Sequence, residues 1–182
     1  MMTATADRGD APSRYAVFVL ALLTLANISN YVDRMVVAVL AQPLKEAFQA
    51  TVSQMGLLSG PAFSFVYAFA GVFLAWFADR HSRKLVLGIS VIGWSLMTMA
   101  SGASQDFTQL ILTRAAMGFF QGAALPTAYA LIADYYVAQR RPQAVATYSI
   151  GAPVGMLLVF AVTGMVVANL RWRAGFYIAR AP

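Results

Sequence analysis

Four side chains able to bind ions or donate hydrogen bonds interrupt the first long apolar run of this 182-residue chain: Asn27, Asn30, Asp33 and Arg34. Asn27, Asn30 and Arg34 are spaced three and four residues apart and so share one face of a helix, with Asp33 flanking it. Further on, a second apolar run carries a single charge, Arg114, followed by Gly118 and Gln121 at spacings of four and three. Gly118 is expected to leave room between those two polar side chains. In a bilayer a central Asp or Arg costs roughly 2.5–3.5 kcal/mol against a gain of about 0.5 kcal/mol per Leu, so such groups must face protein or water. An acid and two guanidinium groups around one cavity can bind an anionic or zwitterionic group, or pass a proton. The alternative is that Asp33 and Arg34 lie near the outer end of their helix and snorkel, or only help hold a bundle together. Snorkelling suits Arg114 less well, because it stands about one turn inside the apolar run that opens at Leu110.

A third polar cluster, Asp79-Arg80-His81-Ser82-Arg83-Lys84, sits between apolar runs. With no cysteine and only His81, thiolate chemistry and the usual histidine metal sites are excluded. Asp79 is the only carboxylate near His81, and no phosphate-binding loop, zinc-protease, serine-hydrolase or calcium-loop motif is present. An enzyme is therefore not expected, nor is a cofactor or metal.

These residues are carried by a chain that is 60% apolar and 11% charged, against roughly 25% charged in an ordinary soluble domain. The net charge of +6 would suit a nucleic-acid partner, but the basic residues form short clusters between apolar runs, as on a membrane surface, so no nucleic acid is expected. Residues 1–14 are polar and predict a disordered tail. Apolar stretches follow at about 15–40, 55–77, 85–103, 110–132 and 145–168, each long enough to cross a hydrocarbon core of roughly 30 Å as a helix. A sixth begins near Trp172. A cleaved signal peptide is a poor reading of the first stretch, because apolar character resumes after Arg34 without a small-residue cleavage site.

Within the second stretch Ser64, Ala68, Gly71, Ala75 and Ala78 form a small-residue stripe, which predicts that this helix is buried among others. Gly151 and Gly155 make a similar face in the fifth, bent by Pro153. Seven Lys and Arg residues (8, 14, 80, 83, 84, 140 and 141) fall on the side of the N-terminal tail, against Lys45, Arg171 and Arg173 opposite. That asymmetry predicts a cytoplasmic N-terminus.

The segment Ala75-Trp76-Phe77-Ala78-Asp79-Arg80-His81-Ser82-Arg83-Lys84 resembles the loop signature G-x-L-a-D-r-x-G-r-k of the major facilitator superfamily, with Ala75 and Ser82 in place of the glycines and Phe77 in place of Leu. Leu112-Thr113-Arg114 with Gly118 is similar to that superfamily's fourth-helix arginine motif. Asn30-Tyr31-Val32-Asp33-Arg34, Leu131-Ile132-Ala133-Asp134 and Pro153-Val154-Gly155 look most like spinster-type transporters and the neighbouring anion:cation symporters.

The resemblance implies an all-α polytopic membrane protein: five transmembrane helices plus the start of a sixth, as the N-terminal half of a twelve-helix fold whose substrate site lies between two halves. Residues 15–182 would then be an incomplete six-helix half behind a cytoplasmic tail, cut inside helix six. It further implies secondary, proton-coupled transport of a small organic or lipid-like solute in the cell inner membrane, with the lipid bilayer, protons and the C-terminal half as partners. The alternative is a non-transporting scaffold or degenerate remnant. Carried over residue by residue, Asp33 and Arg34 match first-helix residues of proton coupling or substrate contact, and Arg114 matches the fourth-helix arginine. Gln121 falls where spinster-like relatives often have Glu and cannot titrate. Asp79, Arg80, Arg83 and Lys84 match a cytoplasmic gating motif.

Overall fold

The computed structural model describes residues 12–167 and 172–179. Through residue 11 the expected tail lies outside the described residues; its last residues belong to the first helix start, where the Ser13 hydroxyl accepts a hydrogen bond from the Ala16 amide at 3.1 Å. Among the described residues all regular structure is helical: α1 (Arg14–Val39), α2 (Ala41–Ala47), α3 (Val52–Ser59), α4 (Pro61–Arg80), α5 (Arg83–Ala103), α6 (Phe107–Gly122), α7 (Ala124–Tyr135), α8 (Arg141–Ser149), α9 (Gly151–Val167) and α10 (Trp172–Ala179). These make five segments long and apolar enough to cross a membrane: Arg14–Val39, Val52–Arg80, Arg83–Ala103, Phe107–Tyr135 and Arg141–Ala161. Each matches one apolar stretch of the sequence. Most extend a few residues beyond it, because a helix continues through polar flanking residues that hydropathy does not register. Start signals are chemical: Thr51 and Gln54 close a capping box ahead of α3, and the Asp106 carboxylate accepts from the Gln109 amide at 2.8 Å ahead of α6.

Three of the five crossings are broken, at Gly60, Ala123 and Ile150, and every break is followed within three residues by a proline: Pro61, Pro126 and Pro153. A proline lacks the amide proton that its i−4 carbonyl would accept, and its ring crowds that carbonyl. Pro153 thus stands in the first turn of α9, just after the break at Ile150.

On α1 the packing is layered. Ala16, Leu20 and Leu23 join Ala128, Leu131, Ile132 and Tyr148 in one apolar cluster. At the other end Val36, Val37 and Leu40 join Leu44, Leu58, Leu110 and Phe176. Buried Asn27, Asn30 and Asp33 lie between the two clusters.

The small-residue stripe of α4 packs only in part: Ser64 and Ala68 are exposed, Gly71 and Ala75 half-buried, and only Ala78 is buried. Instead α4 turns Phe63, Ala70 and Gly71 to α6, and the close approach is made by glycines of the partner helix. A Cβ on Gly118 would stand 2.7 Å from the Phe63 carbonyl, and one on Gly122 would stand 2.8 Å from the Tyr67 carbonyl and the Gly71 amide. A stripe read on one helix misses that pairing, because the space is made on the other. Gly151 and Gly155 face α1, where added Cβ atoms would meet Asn27 Cβ at 2.9 Å and the Ile28 carbonyl at 2.6 Å.

The same substitution at two helical glycines is expected to give opposite results. Gly118→Ala drives a methyl into α4 backbone and should destabilise by about 1–3 kcal/mol, whereas Gly88→Ala, with nothing within 4 Å of the added Cβ, should leave stability unchanged or slightly raised. Thermal unfolding in detergent reads both; equal midpoints would show that α4 and α6 are not in this register.

Candidate functional site

Arg114 is fully enclosed, 2% exposed, and its guanidinium reaches across from α6 to α1. Its Nη1 donates to the Asp33 backbone carbonyl at 3.0 Å and lies 3.2 Å from Met117 Sδ; Nη2 donates to the Arg34 backbone carbonyl at 3.3 Å. Helix carbonyls keep a second lone pair after their intrahelical bond, so two successive ones can take a bidentate donor without breaking the helix. The charge of Arg114 is felt by both neighbours, attracted by Asp33 and repelled by Arg34. Asp33 itself is 0% exposed, so neither it nor Arg114 snorkels to an interface.

Arg34 points elsewhere. Its guanidinium carbon lies 5.4 Å from the ring centre of Tyr31, 4.9 Å from that of Phe63 and 4.6 Å from that of Tyr67, an aromatic enclosure built by α1 and α4. Phe63 and Tyr67, one turn apart on α4, are stacked with centroids 5.5 Å apart. Among the described residues Arg34 forms no salt bridge. It borders a cavity of about 130 Å³ together with Asn27, Asn30, Tyr67, Tyr129 and Tyr148. Asn27 Nδ2 donates to the Tyr148 carbonyl at 2.9 Å, tying α1 to the end of α8. Ala124 and Leu125, just past the Ala123 break, and Ser149 and Ala152, either side of the Ile150 break, complete the wall.

Two expectations change. An acid and two arginines facing one cavity are not found: Asn27, Asn30 and Arg34 line it, while Asp33 and Arg114 lie on the α6 side of α1 and do not. Nor does Gly118 open room between Arg114 and Gln121, because the α4 backbone occupies that space. Gln121 is wholly buried, and neither of its amide atoms has a hydrogen-bond partner among the described residues. The tyrosines around Arg34 and the cavity were missed by the sequence reading. Tyr31 had a usable signal, standing one turn before Arg34; Tyr67, Tyr129 and Tyr148 had none, since aromatic residues in apolar runs are ordinary.

At the far end of the bundle Arg83 bridges two connections: Nη1 meets Asp134 Oδ1 at 2.6 Å and Nη2 meets Asp79 Oδ1 at 3.6 Å. Hydrogen bonding and charge from Asp134 are the leading interactions of this arginine, which joins the start of α5 to the end of α7. Lys84 Nζ lies 3.2 Å from the Tyr15 hydroxyl and 5.4 Å from the ring centres of Tyr15 and Tyr135. Arg80 stacks on Trp76 with its guanidinium carbon 3.9 Å from the ring centre. The pairs are partly solvated and so worth at most about 1 kcal/mol each; they position loops more than they stabilise them. No group of three or more His, Cys, Asp and Glu side chains comes together among the described residues.

The sequence profile of the Major Facilitator Superfamily matches residues 23–180. The chain belongs to this superfamily. Among superfamily relatives it is 34% identical over 157 residues to an MFS-type efflux pump of Mycolicibacterium smegmatis, covering 86% of this chain and 37% of that one. It is 28% identical over 167 residues to the D-galactonate transporter of Escherichia coli O6:H1, covering 92% and 39% respectively. The crystal structure of a bacterial homolog to the human lysosomal transporter spinster, in an inward-facing and occupied conformation, superposes with a TM-score of 0.86 at 33% identity, covering 94% of this chain and 43% of that one. The chain thus spans about two fifths of the length of these relatives. It is a multi-pass membrane protein of a transporter superfamily, with five membrane-length helical segments among its described residues.

Removing the guanidinium of Arg114 leaves α1 without its fastening to α6. Arg114→Ala is expected to cost about 2–4 kcal/mol, read as a lowered unfolding midpoint in detergent. A change below about 0.5 kcal/mol would show that the two backbone carbonyls do not hold this side chain.

Proposed function

We propose that this chain forms part of a secondary transporter that moves a small organic or lipid-like solute with an anionic or zwitterionic group across the cell inner membrane by alternating access, coupled to protons. The observation that carries this reading is Arg34, a cation bordering an internal cavity, held by three aromatic faces and in no salt bridge among the described residues. Aromatic rings support a guanidinium without neutralising it, so its charge stays available to a ligand in a low-dielectric setting. Asn27 and Asn30 on the same wall offer donors and acceptors to the rest of a polar solute. The opposite wall would come from a second half of the transporter.

Asp33 is the proposed proton carrier, since Gln121 cannot titrate. It sits inside the bundle next to the α1–α6 fastening, so any movement of α1 against α6 changes its distance to Arg114 and hence its proton affinity. A proton drives a conformational change only through such a difference between two states. Asp79, Arg80, Arg83 and Lys84 are proposed to form the cytoplasmic gate: the Arg83 bridge holds Asp79 and Asp134 in place, leaving the exposed Asp79 carboxylate to meet the other half.

In the full-length protein, Asp33→Asn is expected to abolish uptake driven by a pH gradient while solute binding or exchange persists. Unchanged pH-driven uptake would make Asp33 a structural residue. Arg34→Ala is expected to remove solute binding itself, and full binding by that variant would remove the argument for an anionic group.

Orientation has its own test. Single cysteines at exposed Ser82 and Gln139 should be shielded from an impermeant thiol reagent in intact cells, while one at exposed Gln105 should react; the reverse pattern would invert the topology. The neighbouring Ser104 is buried, its carbonyl accepting from Arg173 at 3.2 Å, and would not report.

A further inference from the structure

Of the three helix breaks, the one at Gly60 does not border the cavity, and the side chain it delivers is Phe63. Phe63 stands in the first turn of α4, its amide donating to the Gly60 carbonyl at 3.2 Å, and is only 6% exposed. Its neighbours fix the ring. A Cβ added to Gly118 of α6 would stand 3.3 Å from Phe63 Cδ2, and Trp94 of α5 and Met117 of α6 join Phe63 in one apolar cluster. Two cations meet this ring: the guanidinium carbon of Arg34 lies 4.9 Å from its centre, and that of Arg114 lies 5.4 Å from it.

We propose that Phe63 is a positioning residue: one ring, held by α5 and α6, carries both guanidinium groups, and its electron-rich face keeps Arg34 turned to the cavity without giving it a counter-ion. Like charges gathered in a low-dielectric interior repel, so each needs a partner of its own. Arg114 has two backbone carbonyls, whereas Arg34 forms no salt bridge among the described residues and its buried Nε has no hydrogen-bond partner there. A carboxylate in place of Phe63 would neutralise Arg34, and an aliphatic side chain would leave it to turn to a backbone carbonyl, as Arg114 does. The negative face of an aromatic ring does neither. Of the three rings around Arg34, Phe63 is the one outside the cavity wall, since Tyr31 and Tyr67 border the cavity themselves. It therefore acts on a solute only through Arg34. That Arg34 receives an anionic group rests on the function proposed above.

Fluorinated phenylalanines provide the test, because successive fluorines drain the negative face of the ring while hardly changing its shape. Mono-, di- and trifluorinated phenylalanine replace Phe63 in the full-length protein in detergent, and phenylglyoxal labelling of each arginine is followed by mass spectrometry. The reagent bridges two guanidino nitrogens, so a group lying on ring faces reacts slowly and a released one fast. Arg34 labelling should rise stepwise, by about three- to tenfold with the trifluorinated ring, the ratio that corresponds to loss of a partly desolvated cation–π contact. Arg114 should stay unlabelled on its two carbonyls, and exposed Arg80, stacked on Trp76, should keep its rate. A flat series overturns the proposal. A rise shared by Arg114 overturns it too, because the ring then serves only to pack the two helices. The solute reading fails separately, through the Arg34→Ala variant: a stepwise series alongside full solute binding by that variant upholds the role of Phe63 and removes only the anionic solute.

Discussion

A guanidinium in a membrane bundle has no water to hydrate it and must find its acceptors in the protein. Arg114 finds them on the backbone of α1, at the carbonyls of Asp33 and Arg34. Much of the arrangement follows from that one attachment. It ties α6 to α1, which also packs closely on Gly151 and Gly155 of α9, and in this arrangement Asp33 is wholly buried while Arg34, one residue on, is turned toward the aromatic rings of α4 and the cavity. Gly118 and Gly122, one and two turns beyond Arg114, then let α4 close against α6 and bring Phe63 and Tyr67 within reach of Arg34. The cation that borders the cavity, Arg34, thus has its backbone carbonyl held by one that does not, Arg114.

Irregular backbone in a bilayer persists only where protein or a cavity takes up its freed polar groups. Two of the proline breaks obey this by bordering the same cavity, one at Ala123 and one at Ile150. At the second, Asn27 donates to the Tyr148 carbonyl, so a side chain from α1 supplies what the interrupted helix leaves short. The cavity, the breaks and the asparagine face of α1 are one feature seen from three helices.

At the loop end, chemically similar residues settle into three different roles. Arg83 is drawn into bridges with Asp134 and Asp79, Lys84 sits among tyrosines, and Arg80 lies on an indole. Their order in the chain does not distinguish them; the choice is made by which carboxylate or ring the neighbouring helix ends bring within a few ångströms. Asp134, fifty-one residues from Arg83, is legible in the sequence only as part of the Leu131-Ile132-Ala133-Asp134 resemblance, not as a partner.

The sequence by itself determined the crossings, the interruption near Pro153 in the fifth and the superfamily, because each rests on local chemistry: the length of an apolar run, the missing proline amide, the charged loop between the second and third crossings; the breaks at Gly60 and Ala123 were not read from it. It also determined that Asn27, Asn30 and Arg34 share a face, since helical periodicity alone decides that. What lies opposite a face is set by another helix far along the chain, and there the tertiary structure decided. It placed Arg114 on backbone rather than in the cavity, filled the space beside Gly118 with the Phe63 carbonyl, left Ser64 and Ala68 of the α4 stripe exposed while Gly71 met α6, and surrounded Arg34 with aromatic rings. The physical reason is that in hydrocarbon, where polarity drives no sorting between helices, register is chosen by close packing and the satisfaction of a few polar groups, and both depend on two surfaces at once.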